Sequence, residues 1–200
     1  MKRWGILLSF LFFISSCLIA QPVLQDGIPS DMDSDDIFYA LLEGEEHWPR
    51  LSGVVRQSPD QYEPPVLYAM ANKLFMQDEK KAALFWYCLA QIRSLYAKNL
   101  AKPMLHAFGE KKISLYGEYF GKAIEAYAFS NTVELQEVIN MLKQYLRLHK
   151  ENYNLLWVYT PQKQIYPPFD HNFEPLSEWE NIRKRTFEEY FENVQRFFER

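Results

Sequence analysis

Asp31, Asp33, Asp35 and Asp36 are the first residues whose spacing suggests chemistry. D-x-D-x-D opens a calcium loop, in which carboxylates stand at the first, third and fifth places. Such a loop also needs glycine at the sixth place and a bidentate glutamate at the twelfth, where this chain has Asp36 and Leu42. The acids are better employed at the positive end of a short helix running to Leu42, capped by Ser34 or Asp33. His47, His106, His149 and His171 are widely separated, with no H-E-x-x-H and no Cys/His cluster, so neither metal nor cofactor is expected. Asp170 and His171 place an acid beside a base, but no serine or cysteine in a nucleophile motif accompanies them. Carboxylates are plentiful enough for a glycosidase pair, which keeps a cell-wall-active enzyme as an alternative. Cys88 stands inside an apolar run, where a thiol is buried and inert.

The N-terminus is more specific. Lys2 and Arg3 precede an apolar stretch from Trp4 to Ile14, the layout of a secretory signal. Ile14-Ser15-Ser16-Cys17 follows, and it resembles the lipobox of bacterial lipoproteins, in which a small residue precedes the cysteine to be lipidated. By that resemblance Cys17 becomes the first mature residue and carries the acyl chains that hold the protein to a membrane; several chains on one residue make a stable anchor. The rival reading is ordinary cleavage after Ala20, which removes Cys17. Residues 1–20 are thus expected to be the leader, 21–30 a tether, and 31–200 a single helical domain. The expected location is the periplasm, free or anchored to a membrane facing it. A formal charge of −4, made more acidic when Lys2 and Arg3 leave with the signal, gives no basic face for nucleic acid.

Aromatic side chains are abundant and glycine is scarce, at 7 in 200 residues, which argues against a many-stranded sheet. Residues 82–90 are all apolar, so the helix that carries them has no face left for water and belongs at the centre of a core. The run is far shorter than the roughly 18 residues of a membrane span. Trp48-Pro49 opens a short helix before it, and Pro64-Pro65 opens another with Leu67, Met70, Ala71 and Leu74 on one face. Asp78-Glu79 turns that helix into the central one. With Ala71 at the small position of the first helix, and Ala83, Trp86-Tyr87 and Ala90 on the second, the pair resembles one tetratricopeptide or Sel1-like repeat. The expected fold is all-α: an irregular helical bundle built around a central buried helix, with one tetratricopeptide-like hairpin.

A helix is expected over residues 113–129, where Gly117 and Gly121 suggest close contact with another backbone. The next has an Asn131–Glu134 capping box and a stripe of Leu135, Val138, Ile139, Leu142, Tyr145 and Leu146. The last starts from a Ser177–Glu180 capping box and carries Glu180–Lys184 and Glu192–Arg196 pairs. Between them, residues 152–175 hold proline and aromatics without a period, long for a connection in a compact domain. Trp157, Tyr159, Tyr166, Phe169 and Phe173 are its candidate binding residues, because aromatics are enriched at interfaces. The expected function is that of an exported, non-catalytic protein-binding module, a scaffold or assembly factor of the cell envelope. The alternative binding role is an immunity protein that blocks a periplasm-acting toxin.

Overall fold

The central helix is α4, Lys80–Asn99. Leu89, Ala90 and Ile92 have no exposed surface, and Tyr87 and Cys88 have almost none. Each large apolar side chain so enclosed contributes about 1.5–3 kcal/mol relative to exposure. This computed structural model describes residues 33–43, 47–159 and 172–198, which all belong to the compact unit Met32–Arg200. The fold is an all-α bundle, with no strand among the described residues. None of the described helices is long and apolar enough to cross a membrane. The leader, the tether, Cys17, Tyr166 and Phe169 lie outside the described residues.

Around α4 the other elements follow in chain order. Helix α1, Ser34–Glu43, buries Ile37 and Leu41 and packs on α3. Its first turn shows what the aspartates do: Asp33 Oδ1 accepts the Asp36 N–H at 2.9 Å, and Asp36 Oδ2 accepts the Asp33 N–H at 3.4 Å. This is a reciprocal cap made with two aspartates. Helix α2, Trp48–Gln57, has Pro49 in its first turn, where a missing N–H costs nothing. Helix α3, Pro64–Met76, starts on Pro64-Pro65 and buries Leu67, Met70, Ala71 and Leu74 completely. Asp78, at φ 66°, supplies the left-handed residue of the α3–α4 turn, which aspartate tolerates better than most residues.

Helix α5, Pro103–Tyr116, runs through a π-helical turn, Gly117–Gly121, into α6, Lys122–Ser130. The expected helix therefore begins ten residues early. Its glycines meet a side chain rather than a backbone: a Cβ on Gly121 would stand 2.8 Å from Cε2 of Tyr87. Helix α7, Thr132–Leu148, buries the expected stripe through Leu146 except Tyr145. Its expected capping box does not form. Asn131 Nδ2 donates to the Tyr127 carbonyl at 2.9 Å and Glu134 accepts the Tyr127 hydroxyl at 2.9 Å, so both side chains serve the α6–α7 turn instead. Helix α8, Trp179–Phe198, follows a 3-10 turn, Leu176–Glu178, that takes up Ser177. Glu192 pairs with Arg196 at 3.6 Å as expected, but Glu180 reaches Lys150 of the preceding segment at 3.3 Å. Helix α8 docks on α4 through Ile182, Phe187 and Tyr190, with Asn99 Nδ2 donating to Thr186 Oγ1 at 2.9 Å.

Candidate interaction surface

The irregular chain after α7 crosses the α4–α5 corner. Trp157 is 1% exposed and Phe173 7%, so neither ring is presented to a partner. Trp157 packs edge-on against Tyr116 at 5.8 Å, and Lys112 donates to its carbonyl at 2.7 Å. Phe173 lies against Tyr159 at 5.5 Å, and its backbone bridges to Ala101. Bonds from Lys102 N–H to the Asn172 carbonyl and from Glu174 N–H to the Leu100 carbonyl hold it there. Two of the aromatics expected as anchors are thus inward-facing, because this chain closes the end of the core. Tyr159 is half-buried and donates to the Lys98 carbonyl at 3.0 Å.

Tyr159 and Val158 are also what seats α5. Gly109 is the one buried residue of that helix, and a Cβ there would stand 2.7 Å from the Tyr159 hydroxyl and 3.0 Å from Val158. A helix held so close on one side turns the other side out. Met104, Phe108 and Tyr119 are 77–79% exposed and Leu115 is 46% exposed. Their spacing of four, seven and four residues puts them on one stripe, with exposed Lys111 midway between Phe108 and Leu115. Exposed apolar residues aligned on one face, here in two pairs flanking Lys111, mark an interaction site better than apolar residues scattered singly. The periodicity was present in the sequence, but an apolar stripe alone does not say whether it faces core or solvent.

Against Asn154 of this irregular chain, which straps the corner, Glu63 shows how the corner responds to pH. Burial, with Asp35 and Asp33 adding repulsion against the attraction of Lys112 and a bond from Asn154, raises its carboxyl from an ordinary 4.5 to about 7. The folded state then holds this proton more tightly than the unfolded one, so stability falls as pH rises from about 4.5 to about 7. Glu63→Gln is expected to remove that slope, matching the parent near pH 4 and exceeding it by about 1–3 kcal/mol at pH 8. Urea denaturation at the two pH values reads the difference; equal stabilities at pH 8 would refute it.

The second polar constellation is centred on a buried arginine and joins residues far apart in sequence. Arg93, fully buried on α4, donates to Asp60 Oδ1 at 2.6 Å and to the Pro59 carbonyl at 2.8 Å. Tyr145 donates to Asp60 Oδ1 at 2.5 Å, and His149 Nδ1 lies 2.7 Å from Asp60 Oδ2. Glu151, 4.0 Å from Arg93 Nε, takes Arg183 of α8 at 2.7 Å. Burial opposes the charge on Asp60, but the bonds from Tyr145, His149 and Arg93 outweigh it and hold the carboxyl below its ordinary value. An Asp–His pair of this geometry orients a general base. Here, however, no described hydroxyl or thiol bonds to His149, whose ring stacks on Tyr145 at 4.2 Å. The cluster ties four elements together instead of presenting a nucleophile. The pair noted in the sequence, Asp170 and His171, lies outside the described residues, and no described group of acids, histidines or cysteines is placed to hold a metal.

No family model, curated protein or solved structure matches this chain.

Proposed function

We propose that this chain is an exported, lipid-anchored helical protein-binding module of the bacterial cell envelope, a scaffold or assembly factor without chemistry of its own. The observation that carries the binding half is the outward stripe formed by Met104, Phe108 and Leu115 of α5 and Tyr119 of the π-helical turn that follows it. An amphipathic helix presenting such anchors suits the groove or apolar face of another protein. Half-buried Tyr159, with Tyr166 and Phe169 of the residues not described, remains a candidate contact in the same proposal on its sequence alone. The anchoring half rests on Lys2, Arg3 and Ile14-Ser15-Ser16-Cys17. The packed α3–α4 hairpin, with Ala71, Ala83 and Ala90 fully buried, suits a tetratricopeptide-like unit.

Phe108→Glu combined with Leu115→Glu is expected to reduce capture of the envelope partner at least tenfold, about 1.4 kcal/mol. Circular dichroism and melting should not change, because both side chains are already solvent-exposed. Capture that survives the double change would remove α5 from the proposal. The mass of the mature N-terminus in the same preparation reads the anchor: Cys17 bearing acyl chains supports it, and a free Gln21 contradicts it.

A further inference from the structure

A cavity of about 380 Å³ opens between α4, α6, α7 and α8, away from the α5 stripe. Its walls are mainly apolar, from Leu84, Ala128, Leu135 and Val194, with Phe129, 56% exposed, also lining it. That volume is at the small end of the roughly 300–1,000 Å³ typical of ligand pockets, and an apolar wall with a few placed polar groups is their usual chemistry.

The polar groups are arranged in sequence around one carboxylate. Tyr190 donates to Gln91 Oε1 at 3.1 Å, which turns the Gln91 amide nitrogen toward Glu125 Oε1 at 3.4 Å. Tyr87 donates to the same oxygen at 2.5 Å. Both donors therefore converge on Oε1, and Oε2 has no hydrogen-bond partner among the described residues. No described cation pairs with Glu125 either. Tyr87 is itself fixed, seated against Gly121 and edge-on to Tyr68 at 5.6 Å, so the carboxylate is held by residues that cannot readily move. A carboxylate oriented on an apolar cavity wall, with one oxygen left over and no cation, complements a hydrogen-bonding cation on an apolar stem. Cys88 also lines the cavity, but burial pushes its thiol up to about 11, so it supplies an apolar surface and not a second anion.

We propose that this cavity binds a primary ammonium group on a short apolar chain, with Glu125 Oε2 receiving the ammonium and Leu84, Ala128, Leu135 and Val194 receiving the chain. A free alkylamine and a lysine side chain share this chemistry. The test titrates the full chain with n-hexylammonium, with 1-hexanol and with a blocked lysine tripeptide, read by calorimetry and by shifts of the Tyr87 and Tyr190 resonances. Saturable binding of hexylammonium at least tenfold tighter than hexanol is expected. Glu125→Gln, whose amide oxygen still accepts from Tyr87, should abolish that preference. Val194→Phe, at a half-buried wall position, should weaken both and keeps the test open if Glu125→Gln does not fold. Binding of the tripeptide assigns a protein lysine as the source; binding of hexylammonium alone assigns a free amine. Equal binding of hexylammonium and hexanol, a preference that survives Glu125→Gln, or no binding of either compound would overturn the proposal.

Discussion

Arg93→Leu is expected to destabilise the protein by about 3–5 kcal/mol, because it removes one partner of a buried ion cluster and leaves the others behind. Asp60 would keep Tyr145 and His149 but lose its cation, and Glu151, 3% exposed, would depend on Arg183 alone. Against a total stability of about 5–15 kcal/mol for a domain, this loss is enough to unfold a large fraction of the molecules. Arg93→Lys should recover only part of it, since one ammonium cannot reproduce a planar fork that reaches both Asp60 and the Pro59 carbonyl. The same cluster sets an acid limit. A carboxyl held below its ordinary value stabilises the fold above about pH 4, and that contribution is lost as pH falls through its folded value. Thermal and urea unfolding of both variants reads the effect; a loss under about 1 kcal/mol for Arg93→Leu would show that the cluster is an ornament of the surface and not a tie between elements.

Gly121→Ala carries the second large effect, and its sign is diagnostic. Inside an ordinary exposed helix this change stabilises by roughly 1 kcal/mol. Here the new methyl would overlap the Tyr87 ring, at 2.5 Å from Cζ and 2.8 Å from Cε2. Tyr87 cannot swing clear without giving up its bond to Glu125 and its contact with Tyr68. Overpacking of this kind costs about 1–3 kcal/mol. The π-helical turn at Gly117–Gly121 is therefore fitted to a tyrosine on α4, and Tyr87→Leu should offset much of the loss in the double variant. Tyr87→Phe should recover less, because it removes the hydroxyl, the atom nearest the new methyl, but leaves ring carbons at 2.5 and 2.8 Å. A neutral or stabilising Gly121→Ala would mean that α6 is free to shift away from α4.

The central helix could be read from sequence because residues 82–90 leave no polar face, and no tertiary context can reverse that constraint. Helices α3 and α7 were equally legible, one from Pro64-Pro65 and a clean stripe, the other from Leu135 to Leu146 at helical spacing. Helix ends were less so. Asn131 and Glu134 have the right types and separation for a capping box, but Tyr127 on the previous helix offers both a better partner, and that partner is visible only once the turn has formed. The strap hid its orientation for a similar reason. Aromatics without a period carry no information about which side of the chain is buried, so Trp157 and Phe173 could be noticed but not faced. The Arg93 cluster was hidden altogether. Asp60, Arg93, His149 and Arg183 lie on separate parts of the chain, and nothing local connects a loop aspartate to an arginine inside an apolar helix.

The most direct test of the proposed binding surface places a photo-crosslinking side chain at position 108, in the middle of the α5 stripe, and irradiates intact cells. Phe108 is 77% exposed, so the replacement leaves the core undisturbed. The expected result is one specific adduct with an envelope protein, weakened when Leu115→Glu is present and absent when the same side chain is placed at exposed Lys122 on α6. The same adduct from both positions, or none from position 108, would contradict the assignment of α5 as the face this protein offers to a partner.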